Sequence, residues 1–318
     1  MKRLLLLLML CALLGVLPQR ASAQTCSASP SALSFGNVSP IGLSAVAATG
    51  TISISCTWPA VTLTPSVQVC LNMGGTTPRY LAIGSNQLQY NLYQDAAHSL
   101  AWGSTALGTT PISVTLSKPL TGNTATTSVN FYGQITASQP TVPTSGNANT
   151  LYSQTLSQTS LNYGFFLLLA PGCAALTTSG GSFGFTASAT VVNNCLISAT
   201  NVAFTSTGVL SSALNATGAI TARCTNGDAF EIALSSGSSG NVAARQMQRS
   251  GGGGAVNYQL YTDTAHTIAW GDGTAGTSMA TGTGSGNAVS ITVYGRVPAQ
   301  TTPMPGSYSD TITATISY

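Results

Sequence analysis

YNLYQDAAHSLAWG at residues 90–103 recurs as YQLYTDTAHTIAWG at residues 258–271, with nine of the fourteen positions identical. The same offset of 168 residues relates ATGTISISC at 48–56 to ATGAITARC at 216–224. The chain is therefore one unit built twice. Each unit is about 150 residues long, which is the size of a domain rather than of a solenoid repeat.

The first 23 residues have the pattern of an export signal. A basic start at Met1–Arg3 precedes the apolar run LLLLLMLCALLGVL and a small-residue cleavage site at Ala21–Ala23. The apolar run is too short for a comfortable membrane span. We expect a signal peptide over 1–23, a first domain over 24–180 and a second domain over 181–318.

Charged residues are scarce. Three of the nine Lys and Arg residues lie in the predicted signal, which leaves six against six Asp and Glu. Between residues 24 and 180 only Arg79, Asp95 and Lys118 are charged, whereas an ordinary domain has about a quarter charged residues. A surface of hydroxyl, amide and apolar groups favours adhesion or close packing. It offers no basic footprint for nucleic acid.

Six of the seven cysteines follow the predicted signal, and in an exported chain they indicate three disulfides. Four of them recur at the repeat offset as two pairs, and the other two have no counterpart in the second unit. The predicted pairs are Cys26–Cys56, Cys195–Cys224 and Cys70–Cys173.

The secondary-structure signal is almost entirely β. Short alternating runs such as 51–56, 112–116 and 288–294 are separated by clusters of Gly, Asn, Pro and Ser. Helix formers are few, since the chain has 34 Gly and a single Glu. We predict an all-β fold of two tandem Ig-like β-sandwiches.

The second unit ends sooner than the first. TITATISY at 311–318 reads as a strand, whereas the corresponding strand near 152–156 is followed by SLNYGFFLLLAPGCAAL. We expect the second sandwich to lack its final strand and to expose a groove, which a donor strand from another chain completes. The alternating segment SFGFTASATVV at 182–192 either completes the first domain or begins the second. The sequence leaves both readings open.

These motifs resemble the spore coat protein U domain family. The resemblance is carried by CSASPSALSFG and CLISATNVAF, by ATGxI…C, by YxLYxDxAHxxAWG, by a YG pair, and by PGSYSDTITATISY, which the first unit has only as PTSGNANTLYSQTL with an insertion. It implies that the two Ig-like sandwiches are of the pilin type and that the chain is a subunit of a Csu-type archaic chaperone–usher pilus. Such a subunit is completed first by a periplasmic chaperone and then by the N-terminal extension of the next pilin, and it is exported through an outer-membrane usher.

The predicted cleavage site indicates which kind of pilus subunit this chain would be. A shaft pilin should carry a donor segment of about a dozen residues before its first cysteine. After cleavage at Ala23 only Gln24 and Thr25 precede Cys26. We therefore expect a subunit that accepts a donor strand and gives none. That is the position of a two-domain tip adhesin.

The repeated D-x-x-H pattern, Asp95/His98 and Asp263/His266, has residue types that could form a metal site or an acid–base pair. Zinc would need a third or fourth ligand, and hydrolysis would need a nucleophile beside the histidine. A turn in which Asp bonds the backbone, with His and Trp102 or Trp270 packed beside it, explains the pattern. We expect no enzyme activity, no catalytic or metal site and no cofactor.

Surface-binding candidates lie where the two units differ. YGFFLLLAPG at 163–172 is either a buried strand or an exposed hydrophobic finger, Trp58 corresponds to the polar Asn226, and Tyr80 follows a Gly-Gly turn. Exposing such side chains forgoes about 1.5–3 kcal/mol each, which a protein tolerates where the patch binds something. The candidates are Trp58, Tyr80, Leu81, Phe165, Phe166, Leu167, Leu168 and Leu169.

The sequence thus favours a tip adhesin, displayed at the cell surface, that attaches to an abiotic or host surface and supports biofilm formation. Two alternatives stay open: a structural pilus or coat subunit without a binding role, and a glycan-binding lectin on the same scaffold. A hydrolase has the least support.

Overall fold

The computed structural model describes residues 24–318, so the predicted signal peptide and Cys11 lie outside the described residues. Within this range the chain forms strands and four short 3-10 helices, and it has no α-helix. Residues 24–318 therefore offer no helix that could cross a membrane. The predicted all-β fold is confirmed.

The first twelve strands build the first domain. They are β1 (Thr25–Pro30), β2 (Leu33–Val38), β3 (Val46–Thr57), β4 (Ser66–Met73), β5 (Arg79–Ile83), β6 (Asn86–Tyr93), β7 (Ile112–Ser117), β8 (Thr124–Ile135), β9 (Thr150–Leu156), β10 (Thr159–Phe166), β11 (Thr178–Ser179) and β12 (Phe185–Val191). The 3-10 helices of this domain are Pro40–Gly42, Thr105–Leu107 and Cys173–Ala175.

The remaining strands build the second domain. They are β13 (Cys195–Ala199), β14 (Leu214–Cys224), β15 (Ala229–Leu234), β16 (Arg245–Arg249), β17 (Ala255–Tyr261), β18 (Ala280–Thr283), β19 (Val289–Val297), β20 (Tyr308–Ser309) and β21 (Ala314–Ser317). The fourth 3-10 helix is Gly237–Ser239.

The first domain is a sandwich of two sheets. The larger has the strand order β1-β3-β8-β6-β5-β9-β12-β2 and the smaller has β11-β10-β4-β7. Alternation along the strands supplies the core, as in β3, where Ile52, Ile54 and Cys56 are buried and their neighbours face outward. Trp102 anchors the core by donating its indole N–H to the carbonyl of Leu71 at 2.8 Å.

The segment 182–192, which the sequence left open, belongs to the first domain. As β12 it pairs antiparallel with β9 and parallel with β2. Its inward residues Phe185, Ala187, Ala189 and Val191 are buried in the first core. By packing, the first domain therefore continues to Val191, about ten residues beyond the boundary expected from the sequence at 180/181.

The second domain repeats the first without three of its strands. Its larger sheet, β13-β14-β19-β17-β16-β20, corresponds strand for strand to β1-β3-β8-β6-β5-β9, and its smaller sheet, β18-β15-β21, corresponds to β7-β4-β10. The last strand, β21, is thus the counterpart of β10, and the sequence-based match of 311–318 to the strand near 152–156 is wrong, because β20 is the counterpart of that strand, β9. Within residues 24–318 the second domain has no counterpart of β12, β2 or β11.

The two domains stack head to tail. The turn after β14 and the turn before β19 lie against the long connection between β8 and β9. Asn226 Nδ2 donates to the carbonyl of Thr141 at 2.7 Å, and Ala229 N donates to Asn147 Oδ1 at 3.0 Å. Buried Asp228 accepts a short hydrogen bond from the hydroxyl of Thr144. The connection is where the first unit has its insertion, so the insertion serves the domain junction.

Three disulfides reinforce the sandwiches, Cys26–Cys56, Cys70–Cys173 and Cys195–Cys224. These are the pairs that the repeat predicts. The first and third join facing residues of paired strands at the same place in each domain. The second has no equivalent in the second domain, and it ties a surface segment to β4.

Candidate functional site: apolar loops and an open groove

Three loops meet at the free end of the first domain. Ser66 at the start of β4 pairs with Ser117 at the end of β7 and with Phe166 at the end of β10. Thr57 at the end of β3 pairs with Thr124 at the start of β8. The loops 58–65, 118–123 and 167–172 therefore leave the sandwich at one end, and we call them the apolar loop cluster.

Large aliphatic side chains of the cluster face solvent. Leu168 and Leu169 are 89% and 86% exposed, and Leu167 is 57% exposed. The other loops add the exposed Val61, Leu63 and Leu120. Lys118 is the single charged residue in these loops. These aliphatic side chains can be buried against an apolar surface, which is favourable. Because the loops contain one charged residue, little free energy is lost in removing water from charged groups.

The structure corrects part of the predicted binding set. Trp58 is buried, donates its indole N–H to the carbonyl of Thr64 at 3.1 Å, and meets the ring of Phe165 edge-on at 5.3 Å. Phe165 packs against the core, and Phe166 is half-buried at the last strand pair of β10. Trp58 and Phe165 thus close the end of the sandwich beneath the loops, and Leu167 begins the exposed part.

The third predicted location separates into one buried and one exposed residue. Leu81 faces the core of the first domain and is fully buried, so it is not a surface residue. Tyr80 is 37% exposed on β5, outside the three loops. The structure does not bring this pair together with the apolar loop cluster.

Sequence reasoning missed Val61, Leu63 and Leu120. A signal for them exists in loop length, because nine residues separate Cys56 from Ser66 whereas four separate Cys224 from Ala229. An extension that the shared fold does not need, with exposed aliphatics between prolines, marks an added surface. The predicted candidates include Trp58 from this loop but none of its aliphatic residues.

The second domain carries an open groove of about 1070 Å³ between its two sheets. Its floor is apolar and includes Leu234, Val256 and Val293, and its walls include Phe204, Tyr308 and Ile312. The groove lies where β12 lies in the first domain. The first domain therefore shows what a filled groove looks like in the same chain.

The residues that line the groove are less buried in the second domain than their counterparts around β12 in the first. Residues 33–38 form β2 because β12 pairs with them, whereas their counterpart 202–207 has no strand partner in the described chain. Phe35 is buried, and its counterpart Phe204 is only half-buried. Tyr152 is fully buried, and its counterpart Tyr308 is half-buried. The second domain thus leaves apolar surface uncovered along one continuous line.

A polar cluster holds the wall of the empty groove. Tyr258 donates to Asp310 Oδ2 at 2.7 Å, and Asp310 Oδ1 accepts from the backbone of Ser238 at 2.8 Å. Burial raises the pKa of Tyr258, and the bond to Asp310 raises it further. Fully buried Arg245 donates to the carbonyls of Leu234, Ser235 and Trp270. Burial lowers the pKa of Arg245.

The D-x-x-H pattern forms a turn in both domains. The Asp95 carboxylate accepts from the backbone of Leu100 at 2.7 Å and from the hydroxyl of Ser99 at 2.8 Å, and both bonds lower the pKa of Asp95. His98 has a φ of +56° and its ring meets Tyr93 edge-on at 5.2 Å. The predicted turn is present, and the aromatic ring that the histidine contacts is that of a tyrosine. The second domain repeats this arrangement at Asp263 and His266.

The described residues do not gather three His, Cys, Asp or Glu side chains that could hold a metal ion. The two D-x-x-H turns lie in separate domains, and in each of them the carboxylate is occupied by the local backbone. The two candidate sites are contact surfaces, formed by exposed apolar side chains at the loops and by an elongated apolar groove in the second domain.

These features define a class, a two-domain Ig-like protein of the pilin type whose second sandwich is open along one groove. The chain belongs to the Spore Coat Protein U domain family, whose model matches residues 12–159 and 182–315. The family predicted from the repeated motifs is thus confirmed.

One curated protein and one solved structure show how far this similarity extends. Protein U of Myxococcus xanthus is 34% identical over 108 residues, which are 32% of this chain and 59% of that protein. A chain of the CsuC–CsuE chaperone–tip adhesion subunit pre-assembly complex, from the archaic chaperone–usher Csu pili of Acinetobacter baumannii, shares the fold with a TM-score of 0.55. It is 16% identical, and the match covers 92% of this chain and all of that one.

Proposed function

We propose that this protein is a tip adhesin of a chaperone–usher pilus. The apolar loop cluster of the first domain attaches the fibre to a surface, which supports biofilm formation. The groove of the second domain accepts a donor strand from the adjacent pilin. The observation that carries the proposal is that both sites occur in one chain, with the filled counterpart of the empty groove beside it.

The adhesive role rests on the cost of exposing the loops. Full burial of one leucine contributes about 1.5–3 kcal/mol, so Leu168 and Leu169 together forgo about 3–6 kcal/mol in the free protein. Together with Val61, Leu63 and Leu120 they form an exposed apolar patch, which on a protein surface marks an interaction site. The scarcity of charge in the loops favours an apolar target, abiotic or host-derived, and contact with little dependence on salt.

The distal position rests on the stacking of the two domains. The end of the second domain that packs on the first is the counterpart of the end that bears the apolar loop cluster. In the second domain the corresponding turn is short and polar, with the sequence TNGD at 225–228. The first domain presents long apolar loops there instead, so this end suits contact with a surface and not with a preceding domain.

The groove supports an assembly role for the second domain. An uncovered apolar line flanked by unpaired strand edges is unstable alone and binds an extended peptide by β-augmentation. A periplasmic chaperone would cover it before assembly, and the donor strand of the next subunit would replace the chaperone at an outer-membrane usher. The shared fold with the CsuC–CsuE complex is consistent with such partners.

Attachment tests the loops. Leu168→Ser/Leu169→Ser is expected to weaken retention of pili or purified protein on a hydrophobic surface by at least tenfold, at unchanged melting temperature. Leu107→Ser is the matched control, because Leu107 is 57% exposed in a 3-10 helix at the opposite end of β7. Equal retention of both variants and wild type would refute the adhesive role. Loss of wild-type retention in the presence of a free sugar would favour the lectin alternative.

Peptide binding tests the groove. A peptide with the donor-strand sequence of a neighbouring pilin is expected to raise the unfolding temperature of the second domain. A peptide of the same composition in which the apolar positions no longer alternate is the control. Phe204→Asp places a charge in the groove wall and should abolish the effect. A second domain that is equally stable with and without the peptide would contradict an accepting role.

A further inference from the structure

The unmatched disulfide lies directly behind the most exposed loop of the apolar loop cluster. On β4 the residues Val67, Val69 and Leu71 face the core, so Cys70 points to the opposite face of the small sheet. Cys70 is nevertheless completely buried. Its disulfide partner Cys173 follows the 167–172 loop immediately, so the returning chain covers this face at the disulfide.

Little besides the disulfide holds the returning chain in place. Among the hydrogen bonds of the described chain, those made by residues 167–177 are local, from Ala175 to Gly172 and from Leu176 to Cys173. Pro171 and Leu176 lie over Gly164, where a Cβ would come within 2.8 Å of the Leu176 side chain. Regular pairing resumes only at β11, which covers two residues of β10.

The loop is thus fixed at two points seven residues apart. At its start Phe166 pairs with Ser66 at the end of the sheet, and at its end Cys173 is bonded to β4. Three consecutive leucines in a loose segment would fold back onto nearby apolar surface, because burial of apolar area is favourable and non-directional. A loop that is already ordered also loses less conformational entropy when it binds.

We propose that the Cys70–Cys173 disulfide positions Leu167–Leu169 for attachment. This inference rests on the proposed adhesive function and assigns the disulfide a role in presenting the loop, beyond cross-linking the domain. The second domain differs at the one position of this pair that can be compared, because β15 (Ala229–Leu234), its counterpart of β4, contains no cysteine.

The test compares two disulfide deletions. Cys70→Ala/Cys173→Ala is expected to lower retention on a hydrophobic surface at least tenfold, measured well below the melting temperature of the variant. Hydrogen exchange should become faster across 167–177 while β4 and β10 stay protected. Cys195→Ala/Cys224→Ala is the matched control, because it removes a disulfide of the other domain. It should lower stability without lowering retention.

A second variant keeps the test informative if the first deletion does not fold. Insertion of two glycines after Ala170 leaves the disulfide intact and lengthens the loop between its fixed points. We expect a several-fold loss of retention with an unchanged melting temperature. Wild-type retention in the insertion variant and in a folded Cys70→Ala/Cys173→Ala protein would overturn the positioning role.

The two proposals fail in different ways. If Leu168→Ser/Leu169→Ser retains wild-type attachment, the adhesive function itself is wrong. If that variant loses attachment and the disulfide deletion keeps it, only the positioning role is wrong. If the disulfide acts through the loop, Leu168→Ser/Leu169→Ser should reduce retention little further in the Cys70→Ala/Cys173→Ala background. The effects of the two changes on retention are then not additive, because both act on the same contact.

Discussion

Phe185→Ala probes the strand that closes the first domain. Phe185 is buried on β12, with its ring 4.9 Å from that of Phe131 and stacked nearly parallel to Trp102 at 6.2 Å. Truncation of a buried phenylalanine costs about 3–5 kcal/mol from lost transfer energy and the cavity left behind. Because domains are stable by about 5–15 kcal/mol in total, the first domain should lose a large share of its stability.

Urea unfolding followed by tryptophan fluorescence measures the effect. The first domain contains Trp58 and Trp102 and the second contains Trp270, so a Trp270→Phe background restricts the signal to the first domain. We expect the midpoint to fall with an unchanged slope, since the loss is in stability and not in the surface exposed. Phe204→Ala in the second domain is the control, measured through Trp270 in a Trp58→Phe/Trp102→Phe background. Phe204 is half-buried beside the empty groove, and its truncation should cost well under half as much.

The result that would refute this reasoning is specific. A loss below about 1 kcal/mol in the first domain would mean that the Phe185 side chain is not packed as a core residue. A loss confined to the Trp270 signal, measured in a Trp58→Phe/Trp102→Phe background, would mean that residues 182–192 belong to the second domain. Either outcome would also remove the filled counterpart on which the interpretation of the groove depends.

Three further predictions concern the scaffold. The hydrogen bond from Leu100 lowers the pKa of Asp95 in the folded protein. The ionised carboxylate therefore stabilises the fold above its unfolded pKa, and this stabilisation is lost as pH falls through the lower folded pKa. The melting temperatures of wild type and Asp95→Asn should converge in acid, and a difference that stays constant with pH would contradict this prediction. Asn147→Ala removes the acceptor of the Ala229 backbone N–H and should broaden the interdomain distance distribution measured by spin labels, whereas an unchanged distribution would deny the junction its role. Arg245→Ala leaves the buried carbonyls of Leu234 and Trp270 without this donor and should destabilise the second domain in urea unfolding by about 1–3 kcal/mol for each carbonyl left unsatisfied. A loss under about 1 kcal/mol would show that water replaces the guanidinium.

The fold was accessible from the sequence because a duplicated chain supplies its own alignment. Matching segments predicted the strands, and the cysteines that recur predicted two disulfides. The segment 182–192 could not be assigned in this way. Its alternation of apolar and polar residues is that of any half-buried strand, and only the position of β9 and β2 beside it decides which core it fills.

The candidate site was only partly accessible for a related reason. An unmatched tryptophan such as Trp58 either fills a gap or faces solvent, and composition does not distinguish the two. In the run from Phe165 to Leu169 the change from core to solvent comes where the partner strand β4 begins at Ser66, which is a property of pairing register and not of local sequence. Loop length relative to the other repeat was the more useful signal.

The strand β12 also has a mechanical consequence. Only three residues, 192–194, separate its last residue from Cys195 at the start of the second domain. A pull on the second domain, against a first domain fixed at its loops, is therefore transmitted along the axis of β12. The strand is paired with β9 over all seven residues and with β2 on its other side. Such a pull loads the backbone hydrogen bonds in shear, so they resist together rather than opening one at a time from an end.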